Sequence, residues 1–148
     1  MPITTLEETT SQKRLRVFAA IAAVIATLQT VVAVTMMAVD NEVLVRAHEG
    51  LGYLYLAAAV VTVFPAVVWG RLSHKPGLIG HAAGMAVAGA VQLLLGLLFA
   101  PAEGQPTSPL IYVHMVLGLA IMVGAIALYL VANRKPIIVT NLDGTPRA

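Results

Sequence analysis

The chain contains no cysteine, few charged residues and few aromatics. Without cysteine there is no disulfide framework and no thiolate metal site, and nothing in the sequence records a redox compartment. Charged residues make up 11% of the 148 positions and hydrophobic residues 59%, whereas a soluble domain carries about a quarter charged residues. A single core of this size needs a polar cover, and this composition cannot supply one, so lipid is the expected solvent for much of the surface. The formal net charge is +2, but the basic residues flank apolar stretches and form no stripe, which excludes nucleic acid as a partner. Collagen-like, disordered and disulfide-scaffold classes drop out on the same composition. No glycine-rich nucleotide loop, H-E-x-x-H helix or G-x-S-x-G elbow is present.

Four apolar runs remain: Val17–Val39, Leu51–Gly70, Leu78–Ala100 and Leu110–Ala132. Each has 20 to 23 residues, and at ~1.5 Å per residue each can cross a hydrocarbon core about 30 Å thick. None contains Asp, Glu, Lys or Arg, and Pro65 is the one proline inside a run, where neighbouring helices tolerate a kink. Counting its polar opening, the second span starts at His48. Turn formers punctuate the connections at Asp40-Asn41, at His74-Lys75-Pro76-Gly77 and from Pro101 through Pro109. The expected organisation is an N-terminal tail over 1–16, a four-helix transmembrane domain over 17–132 and a C-terminal tail over 133–148. Within it the spans are about 17–39, 48–70, 78–100 and 110–132.

Lys13, Arg14 and Arg16 precede the first span, Arg71 and Lys75 lie between the second and third, and Arg134, Lys135 and Arg147 follow the fourth. Only Arg46 lies on the opposite side. The positive-inside rule then puts both termini in the cytoplasm, in an up-down-up-down bundle. The first run is too long for the roughly 7–15-residue core of a signal peptide.

The spans read as two copies of a helix pair. Ala23-Val24 and Gln29 in the first span recur as Ala86-Val87 and Gln92 in the third, at an offset of 63. The string H-x-x-L-G occurs at His48–Gly52 and again at His114–Gly118, at an offset of 66. Duplication makes the second and fourth spans parallel, so that in a four-helix bundle they lie diagonally across the core with their histidines at a similar outer depth. His48 and His114 are expected to face each other.

A single histidine at a helix end is ordinarily an interfacial residue. Two matched in depth and local motif, each with glycine one turn deeper on the same face, suit axial ligation of a haem iron. Gly52 and Gly118 then leave room for the porphyrin edge, or serve close helix packing. Arg46 is a candidate partner for a propionate, or else pairs with Glu42 or Glu49. Gln29 and Gln92 make interhelical hydrogen bonds or line the cavity. His81 is expected to pack or sit at the inner interface, and His74 to be a solvated loop residue. Gly80, Gly84 and Ala88 are expected to form a small-residue packing ridge. Tyr53, Tyr55 and Tyr112 are placed in an outer aromatic belt and Trp69 in the inner one. Copper is the rival metal, through Met36, Met37, Met115 and the two histidines, but there is no M-x-x-M run, which puts it behind haem.

The string Gln92-Leu93-Leu94-Leu95-Gly96, followed by an outer loop and then His114 opening the next span, resembles the third and fourth helices of one half of a haem A synthase. The resemblance covers the whole membrane region as a half-size, four-helix relative. It implies haem held between histidines on the second and fourth helices near the outer face, positions that His48 and His114 match. The glutamate of the family's catalytic E-x-x-H falls here on Val45, and the family's outer-loop cysteine pair is absent. The function expected is therefore a haem-binding membrane protein with one bis-histidine haem b, in electron transfer or haem handling. Its expected setting is the bilayer of a prokaryotic plasma membrane, as a homodimer or a respiratory-complex subunit. A half-size haem A synthase-like enzyme handling haem O or A is one alternative, and a haem-free accessory subunit of a larger membrane complex is another.

Overall fold

A computed structural model describes residues 9–99 and 108–134. The first eight residues, most of the Pro101–Pro109 connection and the chain from Lys135 onward, with Arg147, lie outside the described residues. Four helices are present: α1 Thr10–Ala38, α2 Glu42–Leu72, α3 Pro76–Phe99 and α4 Leu110–Ala132, with no strand among the described residues. Each is long and apolar enough to cross a membrane. α1 packs against α2 and α4, and α3 packs against the same two. α2 and α4 therefore form one diagonal of the bundle and α1 and α3 the other.

Heptad spacing of the buried positions explains this packing. On α2, Tyr55, Ala59, Thr62, Ala66 and Trp69 are buried, and on α4, Ile121, Ala125, Leu128 and Ala132. Steps of alternately three and four residues keep one stripe of a helix facing its neighbours, as in a coiled coil. Most buried hydrophobic residues are alanines, and such small side chains let helices approach closely where lipid provides no hydrophobic drive for association. The large apolar residues, such as Val24, Leu28, Phe64, Leu98 and Val116, are exposed, the distribution expected of a surface that faces hydrocarbon.

The core is not continuous along the bundle. One cluster, Leu15, Ala19, Ala66, Trp69, Leu78, Ala82, Leu128 and Ala132, closes one end. A second, made of Ala22, Ala23, Ala26, Tyr55, Ala59, Ile121 and Ala125, fills the middle. Beyond Ala26, Tyr55 and Ile121, towards His48 and His114, no described hydrophobic residue is buried. We refer to the two ends as the tryptophan end and the histidine end.

Several sequence expectations need correction. Trp69 and Tyr55 are core residues, not belt residues: they continue the heptad stripe and are 3% and 4% exposed. Tyr53 and Tyr112, off that stripe, are exposed. The ridge of Gly80 and Gly84 faces outward, since a Cβ at either would meet nothing within 4 Å. Ala88 alone of that trio packs against the core. Residues 10–16 are not a free tail. Thr9 caps α1 by accepting from the Gln12 N–H, and the Gln12 Nε2 donates to the carbonyls of Ala132 (3.4 Å) and Arg134 (2.9 Å) at the end of α4.

The turn after α2 is shorter than its turn formers imply, because Pro76 opens α3 and Gly77 lies inside it. Proline suits a first helical position, where no N–H is needed. His74 adopts a left-handed φ of 53°. The Lys75 N–H reaches the Gly70 carbonyl at 2.8 Å and the His74 N–H reaches that of Arg71 at 3.3 Å, the bond pair of a Schellman cap.

Candidate functional site

The rings of His48 and His114 face each other across the α2/α4 diagonal, with centroids 6.1 Å apart and planes inclined by 64°. Both side chains are half-buried. Each Nδ1 is buried without a hydrogen-bond partner. Neither Nε2 is among the buried atoms that lack a partner.

The two sequence repeats build matching halves of the site. The His48 ring lies against the backbone of Gln29, and the His114 ring against that of Gln92. A Cβ on Gly52 would stand 3.2 Å from the Gln29 Nε2, and one on Gly118 would stand 3.0 Å from the Gln92 Nε2. The glycines therefore admit the glutamine amides rather than leaving an empty slot. The Gln92 Nε2 donates to the His114 carbonyl at 2.9 Å, while its Oε1 is buried and unpaired. Of the two roles considered for Gln92, the interhelical hydrogen bond is the one formed.

One contact went unassigned in the sequence. A Cβ on Gly96 would stand 3.2 Å from the His114 Cε1, so the ring fits because that position lacks a side chain. The offset that relates Gln29 to Gln92 relates Ala33 to Gly96, another small residue. Small residues one turn beyond each glutamine were thus a readable part of the repeat. The burial of Tyr55 was readable too, since His48, Tyr55, Thr62 and Trp69 recur every seven residues on α2.

Other candidates lie apart from this pair. Arg46 is exposed and ion-paired with Glu42 one turn away. His81 bridges α3 and α4, its Nε2 2.9 Å from the Gly124 carbonyl. His74 is exposed in its turn. Met37 and Met115 are exposed and Met36 is half-buried. Asp40, Glu42 and Glu49 are exposed as well, as is Val45, three residues before His48.

Among the described residues no group of three or more His, Asp or Glu side chains can hold a metal ion. A metal centre made by protein alone takes about three or four ligands, so two imidazoles suit a metal whose remaining positions are filled by something else. With metal–nitrogen bonds of ~2 Å, two imidazoles on opposite sides of one metal would have their ring centres roughly 6 Å apart, close to the spacing seen. Compared with known proteins, the chain matches no family, no curated protein and no solved structure.

Proposed function

We propose that the chain is a multi-pass membrane protein that binds one b-type haem at its histidine end, with His48 and His114 as axial ligands through Nε2. The carrying observation is the pair of imidazoles 6.1 Å apart, at an end of the bundle where no buried hydrophobic residue fills the interior. A porphyrin supplies four equatorial nitrogens and a flat apolar body, which are what a two-ligand site without a core lacks. Bound there, the group takes up and releases one electron. The protein's own part is to hold both rings through Gln29, Gln92 and Gly96.

The topology fits the same reading. Lys13, Arg14, Arg71, Lys75 and Arg134 lie at the tryptophan end, opposite Asp40, Glu42, Glu49 and the paired Arg46. Under the positive-inside rule the tryptophan end and both termini are cytoplasmic, the helices run up-down-up-down, and the haem sits near the outer face. Electron transfer or haem handling beside a larger respiratory complex follows as the role. Oxidation of a haem methyl group, the activity implied by likeness to haem A synthases, would call for a carboxylate where Val45 stands. A haem-free accessory subunit would have its histidines turned to lipid headgroups, whereas these rings face each other.

An absorption spectrum of the purified, dithionite-reduced protein tests the proposal. A sharp α-band is expected, lost in both His48→Ala and His114→Ala and retained in His74→Ala. A colourless protein from haem-replete cells overturns it.

A further inference from the structure

The two imidazole planes are inclined by 64°, and the helices behind the rings account for a crossed arrangement. His48 on α2 rests against the backbone of Gln29 on α1, and His114 on α4 rests against the backbone of Gln92 on α3. The sequence repeat relates α1 to α3 and α2 to α4, and each of these pairs is a diagonal of the bundle. An approximate two-fold axis therefore runs along the bundle between the rings. Such an axis tilts the two rings in opposite senses. Unless the planes lie parallel or perpendicular to the axis, opposite tilts add, and the planes cross.

His114 is also held along one edge. A Cβ on Gly96 would stand 3.2 Å from the His114 Cε1 and 3.8 Å from its Nδ1, and that Nδ1 is buried. An imidazole bound to a metal through Nε2 is fixed there and at Cγ, so its remaining freedom is rotation about the line between those atoms. Cε1 and Nδ1 lie off that line. Whatever packs against them sets the rotation, and here it is the bare backbone of Gly96.

On the haem reading above, on which this rests, we propose that the site presents its two ligands with steeply crossed planes, and that Gly96 is the positioning residue that keeps the plane of His114. Groups that orient a ligand tune the metal it binds. Each imidazole donates π-density from the orbital normal to its plane. Parallel rings act on one iron dπ orbital and split the pair, whereas crossed rings act on both and leave them nearly equal in energy. In low-spin ferric iron, near-equal orbitals give a strongly anisotropic resonance dominated by one large g value, in place of the rhombic signal of parallel rings.

Electron paramagnetic resonance of the oxidised protein, read beside the reduced α-band, is the test. The unsubstituted protein is expected to show the single large-g feature. Gly96→Ala adds a methyl group that the ring must turn to clear, and is expected to keep the α-band while moving that feature. Gly84→Ala, at an outward position of the same helix, is expected to leave it in place, which separates ring positioning from a general change in α3. An α-band accompanied by the rhombic signal overturns the crossed geometry and leaves the haem reading standing, and the unsubstituted protein decides this whether or not the variant folds. An α-band and g values unchanged in Gly96→Ala overturn the role of Gly96. An unsubstituted protein without an α-band overturns the haem reading and the crossed pair with it.

Discussion

Gly118 and Gly124 on α4 both lie close to a side chain of α3, yet they answer differently to substitution. At Gly118 the neighbour is the Gln92 amide, 3.0 Å from a Cβ, and that amide is buried and tied to the His114 carbonyl. Gly118→Val pushes it off its acceptor, and a buried amide left without its bond costs about 1–3 kcal/mol. At Gly124 the neighbour is the Met85 Sδ, 2.6 Å away, on a side chain with the rotatable bonds to move aside. Gly124→Ala also gains up to about 1 kcal/mol of helix propensity. Denaturant titration of the two variants is expected to show a marked loss for the first and little change for the second. The sequence alone made both glycines visible and showed that each histidine had one a turn below. It did not show what fills them, because Gln29 and Gln92 come from other helices, and spacing along one helix carries no information about its neighbours.

The four helices follow from four apolar runs, which hydrophobicity makes plain, but their ends follow from polar detail. α1 starts seven residues ahead of its apolar run because Thr9 caps it and Gln12 finds carbonyls at the end of α4. That partner is more than a hundred residues away and invisible to local pattern. The orientation of α3 was misjudged for a related reason. Gly80 and Gly84 share one face, but so do Leu78, Ala82, Met85 and Gly89 on another, and the bundle chose the second. Small-residue spacing identifies a possible packing face without saying whether the helix uses it. Since a Cβ at Gly80 or Gly84 would meet nothing within 4 Å, the double variant Gly80→Ala/Gly84→Ala is expected to keep or raise stability, with up to about 1 kcal/mol per site from helix propensity. Thermal unfolding in detergent measures this; a fall of that size would mean that the ridge is covered in the native protein.

For the whole molecule, the internal duplication and the imidazole pair were legible because the repeated strings carry rare residues, His and Gln, against an alanine- and valine-rich background. The gradient in core packing was not, since which apolar positions of a helix become buried depends on the neighbours it meets. The proposed orientation can be checked with the chain's own composition: there is no native cysteine, so any cysteine introduced is the sole thiol. In intact cells a membrane-impermeant maleimide is expected to label Glu49→Cys and to spare Arg71→Cys, which reacts only after permeabilisation. The reverse pattern would invert the bundle.

The break in the core at Ala26, Tyr55 and Ile121 also implies an order of assembly. The tryptophan end has the contacts to close first, with Leu15, Trp69, Leu78 and Leu128 brought together by all four helices. That closure aligns the two histidine-bearing helices before anything lies between them. If the histidine end holds a flat cofactor as proposed, that cofactor would enter a preformed jaw whose hinge is already packed, and loading it would not require the bundle to be taken apart.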